Sequence, residues 1–205
     1  MACVNDGSRS LIESIMLPEV ILALKAWIDG SLANGILIGT CALSYHSRPR
    51  MTDNIDFIFV DEADIPRSVK GFTRADAVTF FHDETNIQVL LLTPKAIGAS
   101  SGLIDRVTET ATLSNGIRIA SASALVALKL FQRSAQAQAD VVALIKTGMV
   151  DLTGFAPDEE KRSSFDYLVS EAQREQELER ARVLRSGDFP EPGRKKLCEA
   201  SILLW

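Results

Sequence analysis

The period of the apolar positions changes several times along this chain, and each change marks an element. Residues 10–29 carry Leu11, Ile15, Leu22, Leu24 and Trp27 at helical spacing, which predicts an amphipathic helix. Pro18 either interrupts that helix or opens a second one. Asn34-Gly35 reads as a turn. The run Ile36, Leu37, Ile38 has strand length and no polar position, as expected of a strand buried on both faces. Gly39-Thr40 closes it, and Thr40 is a candidate N-cap for a helix from Cys41 to about His46, which Arg48-Pro49-Arg50 breaks. Further strands are expected at 55–60, 77–81 and 87–92. The polar stretch from His82 to Asn86 makes the last two an antiparallel hairpin.

Beyond Thr93 the pattern turns helical. Pro94 predicts a helix near 95–100, and Ile117-Arg118-Ile119 a short strand. Helices are expected over 121–133 and 139–147, with Gly148 as the stop. Pro157 opens a long charged helix to about Arg185, in which Phe165, Leu168, Val169 and Ala172 form one stripe against the body. Gly187 and Pro190 end it. Arg185, Arg194, Lys195 and Lys196 then precede the apolar end Ile202-Leu203-Leu204-Trp205, which reads as a docked helix or a partner contact. The expected class is α/β (α+β): a mixed sheet flanked by helices over 1–150, with a helical C-terminal extension over 151–205.

Composition narrows the functional classes. The net charge of −5 and pI near 5.1 give no bulk attraction to nucleic acid. A local basic patch remains open at Arg48, Arg50, Arg67, Lys70 and Arg74, against the plainer reading of scattered solubilising charge. Cys3, Cys41 and Cys198 are odd in number and far apart, which argues against a zinc site or a disulfide framework and suits a cytoplasmic location. The start, MACVNDGSRS, lacks the apolar region of a signal peptide, and no run approaches the length of a membrane span, so neither secretion nor a membrane is expected.

Two short features carry candidate chemistry. A small residue after a buried strand, as at Gly39-Thr40, lets the backbone approach a phosphate, and the N–H groups of the following helix then point at it. In Asn54-Ile55-Asp56, strand alternation turns Asn54 and Asp56 to one face and Ile55 and Phe57 to the other. Two polar groups so placed present ligands to a metal ion. Asp53 would face away from Asp56, and Asp83 and Glu84 fall in the hairpin turn.

Order and spacing add to these features. Strand, Gly-small, short helix, then Arg-x-Thr and an acidic strand start resembles the polymerase-β-like nucleotidyltransferases, nearest to the bacterial abortive-infection type IV toxin and related uncharacterised groups. The matching residues are Gly39, Thr40, Ala42, Leu43, His46, Arg50, Thr52, Asn54 and Asp56. Gln88 stands where the family has a third carboxylate. Lys129 resembles its nucleotide-contacting lysine, and Asp140 the acidic position that follows. The resemblance spans about residues 30–150.

The resemblance implies transfer of a nucleoside monophosphate from a nucleoside triphosphate to an RNA or protein acceptor. The catalytic positions are then Asp56, Asn54 and Gln88, and the nucleotide is held by Gly39, Thr40, Arg50, Thr52 and Lys129. The family holds two divalent ions, usually Mg²⁺, on three carboxylates. Here Asp56 and Asn54 would be the metal ligands. With one acid where the family plan has three, Mg²⁺ binding is expected to be weak or absent. The alternative expectation is therefore a catalytically degenerate, nucleotide-binding or toxin–antitoxin-type partner module, contacting a protein through its C-terminal helix and tail. His46 reads either as a phosphate contact or as a cap or surface residue. Lys129 either snorkels to solvent or reaches into a cleft. Tyr45 and Trp27 read as core.

Overall fold

The computed structural model describes residues 18–30, 34–47, 50–130, 132, 134–155 and 159–186. Within them seven strands form one mixed sheet, and six α-helices pack on it or on one another. Helix α1 (Pro18–Gly30) is followed by β1 (Ile36–Ile38), α2 (Gly39–His46) and β2 (Asn54–Ile58). A 3₁₀ turn (Glu62–Asp64) leads to β3 (Phe72–Arg74), β4 (Thr79–His82) and β5 (Gln88–Leu92). Then come α3 (Ser101–Thr110), β6 (Thr112–Ser114), β7 (Ile117–Ile119), α4 (Ala122–Lys129), α5 (Ala135–Ile145) and α6 (Glu159–Ser186). The strand order is β3-β4-β5-β2-β1-β7-β6.

The centre of the sheet sets up everything that follows. β1 runs antiparallel to β2, with Ile38 opposite Asp56. β2 runs parallel to β5, with Asn54 opposite Gln88 and Asp56 opposite Leu90. Ile36, Leu37 and Ile38 are all buried, as an apolar run between two layers should be. In β2 the buried Ile55 and Phe57 lie under α1, where Trp27 stacks on Phe57 at 5.5 Å between ring centroids. The same indole meets the edges of Phe72 and Phe80 at 5.2 and 5.6 Å. Trp27 is thus core, and it ties β2, β3 and β4 to one helix.

Most predicted elements are present, with corrections at their ends. Pro18 opens α1, while residues 10–17 lie outside the described set. The expected strands at 55–60 and 77–81 are shifted to Asn54–Ile58 and Thr79–His82. Asp76 delays the latter, because its carboxylate accepts the Val78 N–H in a tight turn. His82 to Asn86 does turn an antiparallel hairpin, with Asn86 at φ +58°.

No helix forms at 95–100. Thr93 Oγ1 accepts the Ala96 N–H, Gly98 sits at φ +66°, and the helix starts only where Ser100 caps the Leu103 N–H. The three-residue strands β3 and β6 had no periodic signal, being too short to alternate. The helices expected at 121–133 and 139–147 are Ala122–Lys129 and Ala135–Ile145, capped by Ser121 and Ser134. The long charged helix is present, with Leu168 and Ala172 buried on its predicted stripe and Phe165 packed beside them. The tail from Gly187 onward, Pro157 and the cysteines Cys3 and Cys198 lie outside the described residues. No helix of the described residues is long and apolar enough to cross a membrane.

Candidate functional site

Gly39 is where the sheet meets the candidate site. It opens α2 at φ +67°, a conformation that costs a side-chain-bearing residue free energy. A Cβ placed on it would collide with the Asp56 carboxylate and lie 3.0 Å from Asp56 Cγ. The antiparallel pairing of Ile38 with Asp56 causes this, since it sets the carboxylate directly over the start of the helix. The position therefore requires glycine for two separate reasons. Thr40 is not the N-cap expected of it: α2 starts two residues earlier, its cap position is Ile38, and no side chain caps it. Helices α3, α4 and α5 each have a serine hydroxyl in that role.

Asn54 and Asp56 share a face of β2, as strand alternation requires, and both are half-buried. Asn54 Nδ2 donates to Asp56 Oδ1 at 3.0 Å. Thr52 Oγ1 donates to Asn54 Oδ1 at 2.8 Å. A carboxylate oxygen only accepts, so it is the nitrogen end of the amide that turns to Asp56. Burial raises the Asp56 carboxyl from 3.8 to about 6, and the Lys129 ammonium opposes part of that rise. Gln88 stands beside Asn54 in register on β5, half-buried. Asp53 is exposed in the bend before β2 and does not join Asp56. Asp83 accepts from Thr73 Oγ1 at the far end of β4, and Glu84 is exposed in the hairpin.

A second group of residues closes the site from the helical side. Asp140 on α5 is 4% exposed. Its Oδ2 accepts from Lys129 Nζ at 2.7 Å, and its Oδ1 from Arg50 Nη1 and Gln136 Nε2, each at 3.0 Å. Arg50 Nη2 also donates to Thr40 Oγ1 at 3.0 Å. Lys129 does not snorkel; its side chain is 11% exposed and turned inward. Sequence reasoning singled out Arg50, Lys129 and Asp140 but missed Gln136. Its signal was the i, i+4 spacing to Asp140 on one helix face.

His46 is half-buried and bonded to the body of the fold, not a helix cap or a surface residue. Its Nε2 donates to the Ala120 carbonyl at 2.7 Å, tying the end of α2 to the residue after β7. Burial lowers its pKa, although the carbonyl bond works in the other direction. Cys41 is buried beneath the same turn, its Sγ donating to the Asn54 carbonyl at 3.5 Å and its thiol pushed up to about 12 by burial. Tyr45 packs against the core with its ring edge-on to His46 at 5.0 Å. The residues of the candidate basic patch have separate roles where they are described. Arg50 turns into the site, while Arg74 donates to the Asp76, Arg67 and Ala77 carbonyls and lies over the Phe80 ring. Arg48 is outside the described residues.

The resemblance to the nucleotidyltransferases implies a pair of magnesium ions at this donor set. Such a pair needs several anionic oxygens, because Mg²⁺ gives up water reluctantly. Here β2 and β5 supply one carboxylate and two amides, and the Asn54 oxygen is already the acceptor for Thr52. These residues do not fit a resident metal pair. Among the described residues no group of three acidic, histidine or cysteine side chains is placed to hold a metal ion. No family model matches the chain, and no curated protein matches it.

Proposed function

We propose that this chain is a nucleotidyltransferase-like protein with a reduced carboxylate set, which binds a nucleoside triphosphate without transferring its nucleotidyl group. It would act as a nucleotide-binding partner module of the toxin–antitoxin type. The observation that carries the reading is the Asn54–Asp56 contact. The strand position that would supply a second metal-binding carboxylate instead presents an amide N–H to the one carboxylate left. The phosphate half of the reading is supported by the turn at Gly39, where the backbone is bare of side chain, α2 begins without a side-chain cap, and Lys129 lies close enough to act on Asp56. Uncapped N–H groups at a helix start favour anions, and an ammonium beside them adds to the attraction. The buried free thiol of Cys41 suits a reducing cytoplasm.

Calorimetry with ATP, with and without Mg²⁺, tests the reading alongside incubation with labelled triphosphates and total tRNA or lysate. The expected result is binding that Mg²⁺ changes little, with no label transferred. Binding that needs Mg²⁺ and is lost in Asp56→Asn, together with label transfer to RNA or protein, would establish the active transferase instead.

A further inference from the structure

Asp140 has more counter-charge than it needs. One buried carboxylate faces two cations, Arg50 at 3.0 Å and Lys129 at 2.7 Å, and the Gln136 amide besides. If Lys129 withdraws, Asp140 keeps a charged partner on Oδ1 and does not become an uncompensated buried ion. The same holds in reverse only with difficulty. Arg50 is bridged between Asp140 and the Thr40 hydroxyl, so both of its terminal nitrogens are engaged within the protein. Its planar fork suits such a two-point role, whereas an ammonium on a flexible stem suits a group that moves between partners. Lys129 also acts electrostatically on Asp56, whose carboxylate lies against Gly39 at the start of α2.

We infer that Arg50 is a positioning residue that neutralises Asp140, so that Lys129 can hand its hydrogen bond from Asp140 to an oxygen of a bound polyphosphate. This rests on the nucleotide-binding reading and names its recognition chemistry. Arg50, which the family resemblance would place on the nucleotide, acts from behind Lys129 without touching the ligand. Without Arg50, Lys129 becomes the sole counter-ion of Asp140 and is held back from the phosphate.

The test is calorimetry of the full chain with ATP and with inorganic tripolyphosphate, and thermal unfolding of every variant. Arg50→Gln should weaken both ligands about tenfold or more, the size of a lost charge-assisted hydrogen bond. Arg50→Lys, which keeps the charge but loses the fork that spans Asp140 and Thr40, should weaken binding less than Arg50→Gln does. Arg50→Gln combined with Asp140→Asn should recover the lost affinity, because the carboxylate that holds Lys129 is then neutral. Asp140→Asn alone should bind more tightly than wild type, a result that does not depend on whether Arg50→Gln folds. Recovery in the double variant is the readout that a direct Arg50–phosphate contact would not give. Failure to recover, or Asp140→Asn binding no tighter than wild type, overturns the positioning role. Wild type that binds neither ligand overturns the nucleotide reading beneath it; wild type that binds, with Arg50→Gln binding equally well, overturns only the positioning role.

Discussion

Asn54 gives its amide nitrogen to Asp56, 3.0 Å from Oδ1, and its oxygen to the Thr52 hydroxyl at 2.8 Å. The three side chains form a short relay at the start of β2, Thr52 donating to Asn54 and Asn54 to Asp56. An aspartate at position 54 would set two like charges against one another at that distance, and only a counter-ion could hold them there. The amide removes that need. The strand is therefore stable by its own hydrogen bonding, and its remaining acid is left to respond to burial.

That response has a sign that stability measurements can read. The Asp56 carboxyl rises from 3.8 to about 6 on folding, chiefly through burial. Between those values the folded chain holds a proton that the unfolded chain releases. The native state therefore loses stability as pH rises from about 4 to about 6, and the loss persists above. The full shift corresponds to about 3 kcal/mol. Asp56→Asn carries no such loss. It should match wild type at pH 4 and exceed it by up to about 3 kcal/mol at pH 8 in denaturant unfolding. His46 has the opposite sign, since its lowered pKa costs stability as pH falls, but it is common to both proteins and cancels in the difference. A wild-type advantage at pH 8 would show that Asp56 is held ionised by partners stronger than its burial.

Gly39→Ala should destabilise the chain by about 2 kcal/mol or more, through backbone strain at φ +67° and the collision with Asp56. The two causes can be separated. In an Asp56→Ala background the carboxylate collision is gone, a tight 3.1 Å contact with the residue-56 Cβ is left and the backbone strain remains, so the cost of Gly39→Ala should fall without vanishing. Equal costs in both backgrounds would mean that backbone strain alone demands glycine.

The central fold was legible because it rests on local signals. Ile36-Leu37-Ile38 and the Asn54/Asp56 alternation each declare a strand and its faces, and Phe165, Leu168 and Ala172 declare a helix stripe. Residues whose partners lie far along the chain were harder to read. Thr40 looked like a helix cap because its neighbours are local, yet its hydroxyl is taken by Arg50, ten positions on. His46 gave no hint of Ala120, seventy-four positions away. The short edge strands β3 and β6 depend on pairing and carry no period of their own. Asp140, Lys129 and Arg50 could each be singled out, but their meeting at one buried carboxylate is a property of the sheet order and of the packing of α5 on α4.

Trp27 is the core residue whose loss should be felt most widely. It stacks on Phe57 and meets Phe72 and Phe80 edge-on, so one side chain joins three strands. Trp27→Ala should cost about 3–5 kcal/mol, whereas Trp27→Phe should keep most of the stacking and cost less. Near-ultraviolet circular dichroism and chemical denaturation would follow both. A cost below about 1 kcal/mol for Trp27→Ala would show that the aromatic cluster repacks around the gap.

The last prediction joins the titration of Asp56 to its neighbour at the α2 start. Above pH 6 the Asp56 carboxylate is ionised beside the N–H groups that would receive a phosphate, offset in part by Lys129 and by the Asn54 amide. Two anions at one helix terminus compete for the same partial positive charge. Without divalent metal, wild-type affinity for ATP should therefore rise as pH falls from 8 to 5. The triphosphate also gains a proton in this range, so the informative quantity is the comparison with Asp56→Asn. That variant should bind more tightly than wild type at pH 8, and the gap should close near pH 5. A variant that binds more weakly at pH 8 would mean that Asp56 assists the ligand through a cation, and the site would then belong to a metal-dependent nucleotide chemistry after all.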